Sequence, residues 1–228
     1  MSDWDAFIDS VPWFLKRGHT AEVSDRRKMP ALSDAVATLF PSLAKLFAKA
    51  AVTDVSIDNA RYELLAWDSV NGDRFGWLCL PPTARPLPNI HDDHKKLLLF
   101  FGGIVERFHE PEDTWLLNLN DALTEREAVH DGSFIQQYKW AIDKAGLKLP
   151  IEPTKFYSIA REANGNDTLC HRISGQVLMF APDHSFDHLT ELQGCPEYSL
   201  YTINGAATFC EWVEAVAAQW LVHTVRAA

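Results

Sequence analysis

Apolar residues recur along this chain in two rhythms. From Ser33 to Ala50 they fall at helical spacing, on Val36, Leu39, Phe40, Leu43, Leu46 and Phe47. Pro41 sits inside that run and predicts a kink or two consecutive helices, because proline lacks an N–H and clashes with the preceding turn. Trp4, Phe7, Ile8 and Val11 mark one face of a short helix at the start of the chain. Near the end, Thr208 to His223 reads as an amphipathic helix, with Phe209, Trp212, Val213, Val216 and Trp220 on its inward stripe and Val222 as a candidate continuation. Two further helices are predicted. One is capped by Asp92 or Asp93, runs through Leu97, Leu98, Phe100 and Phe101, and stops at Gly102-Gly103. The other spans Ser133 to Ala145 and ends at Gly146.

The second rhythm is that of strands. Val52–Ile57, Arg61–Asp68 and Arg74–Leu80 form one set, and Asn71-Gly72 supplies the positive φ of a hairpin turn between the last two. Phe156–Arg161, Thr168–Ile173, Gln176–Ala181 and Tyr198–Ile203 form another. The turns Asn164-Gly165-Asn166 and Ser174-Gly175 separate the first three of these. Ile104–Phe108 and Thr114–Leu119 read as shorter strands. Pro81 to Pro88 is rich in proline and reads as a connector. The pattern predicts an α+β protein: a mostly antiparallel sheet packed by helices, with a C-terminal amphipathic helix covering one face. Residues 1–86 read as a helical segment and hairpin elaboration, either separate or part of the same domain, and 87–228 as the main α+β domain.

With 228 residues and 47% hydrophobic content, the chain has enough apolar surface for a large core. No apolar run reaches the roughly 18 residues a membrane span needs. The first residues carry acids where a secretory leader carries Lys or Arg, so a cytoplasmic location is the expectation. The four cysteines (Cys79, Cys170, Cys195, Cys210) are far apart and form no CxxC pair, which predicts reduced, mostly buried thiols. The net charge of −10 disfavours nucleic-acid binding and suits a partner with a basic surface.

Candidate chemistry is sparse. GxSxG, GxGxxG and GxxxxGK[ST] are absent. His184 and His188 in Asp183-His184-Ser185-Phe186-Asp187-His188 suggest metal ligation, but four residues of strand span about 13 Å, too far to share one ion. His91-Asp92-Asp93-His94 is better read as a helix N-terminus whose acids complement the macrodipole. Asn164 to Asp167 lacks the remaining ligands of a calcium loop. Cys170 and His171 adjoin on a strand and point to opposite faces, so they form no nucleophile–base pair. The expectation is therefore no cofactor, no metal and no catalytic residue. Of the eight tryptophans, Trp212 and Trp220 are expected to cover the sheet. Trp4 and Trp13 are expected to be exposed or docked across a surface.

Three stretches together are similar to the SUKH superfamily, which includes cell-wall synthesis regulators of the Smi/Knr type and bacterial toxin-immunity proteins. They are the helix running into Gly-Gly (HKKLLLFFGG, 94–103), the strand–turn run SIAREANGNDTLCHRISGQVLMFAPDH (158–184), and the terminal helix TFCEWVEAV (208–216). The likeness covers about 89–223, with a longer insert from Asn118 to Pro153. It implies a mixed α+β domain that binds another protein and carries out no catalysis. The expected role is that of an immunity-type protein that neutralises a cognate bacterial toxin by direct binding, with a basic toxin domain as a candidate partner. The alternatives are a regulatory scaffold or, third, a metal-dependent hydrolase. The partner-facing candidates are Glu106, Glu110, Glu112 and Asp113, with Asp183, His184 and Asp187 at a strand exit. No oligomeric state follows from the sequence.

Overall fold

The protein is described by a computed structural model covering residues 1–115, 119–162, 164–182 and 187–225. It has a mixed α+β fold built on one antiparallel sheet. The strands are β1 (Ala21–Val23), β2 (Arg27–Lys28), β3 (Ala51–Ile57), β4 (Ala60–Asp68), β5 (Arg74–Cys79), β6 (Ile104–Phe108), β7 (Leu119–Ala122), β8 (Phe156–Glu162), β9 (Asp167–His171), β10 (Val177–Phe180), β11 (Leu189–Glu191) and β12 (Leu200–Ile203). Their order across the sheet is β1-β3-β4-β5-β6-β7-β8-β9-β10-β12-β11, with β2 also pairing to β3. Nearly every neighbour in space is a neighbour in sequence, as short connections favour. The β5–β6 pairing (Leu78 opposite Glu106) carries the sheet from residues 1–86 into the rest of the chain without a break.

Both faces of the sheet are covered in its centre, which explains why β4 and β5 are apolar at consecutive positions. The front face meets α2 (Asp34–Leu39), α3 (Pro41–Phe47), α4 (Asp92–Leu98) and α7 (Phe209–Leu221). Its core joins Leu65, Trp67 and Trp77 to Tyr157, Cys170, Met179, Ile203 and the α7 stripe. Trp77 lies 5.0 Å from both Trp67 and Trp220, ring centre to ring centre, in edge-to-face contacts. On the back face, α1 (Asp3–Ser10) packs Phe7 against Leu64, Leu78 and Phe108. A separate patch on that face holds Phe156, Leu169, Leu178, Phe180 and Leu200 under a 3-10 turn, Gly132–Tyr138, which runs into α6 (Lys139–Lys144). A short α5 (Glu125–Ala128) packs on β8, and its Ala128 joins the front-face core.

Local signals account for most element ends. Ser2 and Asp5 close a capping box at α1, and Thr208 and Glu211 do the same at α7. Pro41 ends α2 and opens α3 at its first position, so the expected break is two helices. Phe40 has no side chain to cap α3. Instead Glu214 of α7 accepts from the Ser42 N–H at 2.8 Å and the Leu43 N–H at 3.2 Å, and a tertiary carboxylate satisfies the free helix end.

Some expectations are revised. The cap of α4 is His91, whose Nδ1 accepts from the Asp93 N–H, and Asp92 and Asp93 lie in the first turn. Of the strand expected at Thr114–Leu119, residues 116–118 lie outside the described residues; Thr114 bonds back to the Pro111 carbonyl in a turn, and the strand described begins at Leu119 and runs to Ala122. The helix expected over Ser133–Ala145 is a 3-10 segment followed by α6. Val222 is 73% exposed and stands off the α7 stripe. Among the described residues no helix is long and apolar enough to cross a membrane.

Candidate functional site

A cavity of about 940 Å³ forms an open groove between α4, α5 and the turn joining β9 to β10. The turn builds its wall. His171 ends β9, and its Nδ1 accepts from the Ile173 N–H at 3.3 Å and the Ser174 N–H at 3.1 Å. Gly175 completes the reversal at φ +70°, where an added Cβ would stand 2.8 Å from Nε2 of the His91 ring. The turn therefore locks onto the α4 cap, and Ile173 is left 85% exposed at its tip. Val129, just past α5, lines the same groove and is 62% exposed.

Arg172 lines the groove as well. Its Nη1 donates to the Asn89 carbonyl and its Nε to the Thr154 carbonyl at 3.4 Å. The guanidinium carbon sits 5.4 Å from the centre of the Tyr157 ring, a cation–π contact. The other cations of the groove are paired, Lys95 with Asp92 at 2.8 Å and Lys155 with Glu152 at 2.9 Å. Arg172 has no carboxylate within ion-pair distance among the described residues.

Behind the groove the first turn of α4 is tied to the sheet. His94 is fully buried, with Nδ1 3.1 Å from the Tyr157 hydroxyl and Nε2 3.0 Å from the Leu123 carbonyl oxygen. Burial lowers its pKa to about 4, so the ring is neutral. Burial also raises the Cys170 and Cys210 thiols to about 12, and Cys210 donates to Asp93 at 3.3 Å. Thiols held protonated are poor nucleophiles. The four cysteines are free, three of them buried and Cys210 partly so. The His91–His94 run thus serves as cap, charge and buried strut.

A second polar cluster lies on the back face, under α5. Asp121 accepts from Thr124 Oγ1 at 2.5 Å and from Arg126 Nε at 2.7 Å. Arg161 bridges Glu127 at 2.9 Å and Asp167 at 3.2 Å, and the Ser158 hydroxyl donates to Asp167. Burial raises the Asp167 pKa to about 7, with Ser158 and Arg161 opposing and Glu127 adding to the rise. The polar groups of this cluster bond mainly to one another, and among the described residues no group of three or more His, Cys, Asp or Glu is placed to share a metal ion.

The sequence-selected acids that are described have different settings. Glu106 is buried on the back face, opposite Leu78, where Trp13 bonds to it and burial raises its pKa. Arg107, the next residue on β6, lies opposite Trp77 and faces the other side. It pairs with Glu110 at 2.5 Å, which also accepts from Thr114. Glu112, Asp113 and Asp187 are exposed, and Asp183 and His184 lie outside the described residues. His188 stacks on Trp115 with ring centres 4.8 Å apart. Sequence reasoning missed the Arg172-Ile173 wall by extending a strand through Ile173. The available signal was an isoleucine next to Ser-Gly, at a turn position where polar residues are usual.

No family model, curated protein or solved structure matches this chain.

Proposed function

We propose that this chain is a non-catalytic protein-binding module of the SUKH kind. In this reading it is an immunity-type protein that neutralises a cognate bacterial toxin by direct, stoichiometric binding. The observation that carries the reading is the groove beside α4, lined by the exposed Ile173 and Val129 and by Arg172, which forms no ion pair with a carboxylate among the described residues. A solvent-exposed aliphatic pair beside a rigidly held arginine is the composition of an interface core. The resemblance of 94–103, 158–184 and 208–216 to SUKH proteins supports the same conclusion. The net charge of −10 supports a partner whose functional cleft is basic, because opposite fields speed encounter.

The test is co-expression with the product of an adjacent toxin gene. The reading expects growth to be rescued and a one-to-one complex to survive purification at moderate salt. A toxin that stays lethal, with no complex recovered, would overturn it.

A further inference from the structure

We propose that the groove between α4, α5 and the β9–β10 turn seats a partner segment in which a carboxylate side chain neighbours an aliphatic one. The inference rests on the protein-binding reading and names the chemistry of what docks there. The carboxylate is called for by Arg172. Two of its nitrogens are spent on the Asn89 and Thr154 carbonyls, and its plane is set over Tyr157. That leaves Nη2 without a partner among the described residues, on a guanidinium that is already oriented. A pre-oriented guanidinium gives up little freedom when it takes a carboxylate. His171 adds a second donor. Its Nδ1 is occupied as an acceptor, so the neutral ring carries its proton on Nε2.

The aliphatic neighbour is called for by Ile173 and Val129, 85% and 62% exposed in the same groove as the cation. A small free anion would leave both uncovered. A nucleic acid would bring a row of phosphates past Asp92 and Glu152 and into the field of a chain of net charge −10. A peptide segment uses all three groups at once. Such a segment can sit beside a basic surface on the same partner, so the groove and the exposed acids of this chain can engage together.

The experiment uses the full chain and a set of fluorescein-labelled decapeptides of Gly, Ser and Ala with Glu-Leu or Asp-Ile at the centre. Matched peptides carry Gln for Glu or Ser for Leu. Anisotropy should show saturable binding of the acidic–aliphatic peptides, weakened roughly tenfold by either change, about 1.4 kcal/mol. Ile173→Ser, at an exposed tip, should weaken binding by a similar factor, as should Arg172→Gln. Absence of binding up to about 1 mM peptide would overturn the proposal. So would equal binding of the Gln-containing peptides, or binding indifferent to Ile173→Ser. The toxin separates this inference from the reading beneath it. A toxin that binds the Ile173→Ser and Arg172→Gln proteins as tightly as the parent removes the groove and leaves the protein-binding reading standing.

Discussion

Asp167 and His94 are both held neutral by burial, and they pull the pH dependence of stability in opposite directions. The Asp167 pKa is about 7 in the fold against an ordinary 3.8, so its contribution is full below about pH 4 and is lost as pH rises through 7. The His94 pKa is about 4 in the fold against 6.5, so its contribution is full above about pH 6.5 and is lost as pH falls through 4. Between these limits the two slopes oppose each other. Replacing either group should uncover the other. Asp167→Asn should gain on the parent by roughly 1 to 4 kcal/mol between pH 4 and 7. His94→Gln starts behind the parent because it disturbs the Tyr157 and Leu123 contacts. The parent's lead should then shrink by roughly 2 to 3 kcal/mol as pH falls from 6.5 to 4. Urea denaturation across that range measures both. A pH-independent difference for Asp167→Asn would mean that Arg161 and Ser158 keep the carboxylate ionised.

Elements joined by adjacent residues were legible in the sequence, and elements completed from far away were not. The hairpin turns, the Pro41 break and the Thr208 helix start each follow from a few neighbouring residues. Glu214 at the end of α3 does not, because it lies 172 residues from Ser42. β1, β2 and β11 are only two or three residues long and mostly exposed, too short to show a period. The groove was missed for a related reason: Arg172 and Ile173 matter only once the turn has closed against His91. Two substitutions test these long-range links. Glu214→Ala should cost about 1 to 2 kcal/mol, the scale of a lost helix cap. Gly175→Ala should cost more than Gly165→Ala. Both glycines have positive φ, but at Gly175 the new methyl also meets the His91 ring, whereas at Gly165 it meets open space. Thermal melts of the two variants make that comparison. Equal losses would show that the turn does not depend on the His91 contact.

At the scale of the molecule, the decisive feature is that one core spans both halves of the chain. Trp67 and Trp77 come from the β4–β5 hairpin, and Trp220 from the last helix, yet their rings meet in a single cluster. The sheet continues through the β5–β6 ladder, and Glu214 fastens α7 to α3. If the halves were independent, each would expose a strand edge and half of this cluster on separation, which is unfavourable on both counts. Unfolding should therefore proceed in one cooperative transition, although the chain exceeds the usual length for such behaviour. Tryptophan fluorescence and far-UV circular dichroism should then trace the same urea curve. Trp220→Ala should move both curves together, by about 3 to 5 kcal/mol for the loss of a fully buried indole. Two separated transitions, with only one displaced by Trp220→Ala, would show that residues 1–86 fold on their own. By the same logic residues 87–228 alone should not fold stably, since β6 would lose its β5 partner and α7 the tryptophans it covers.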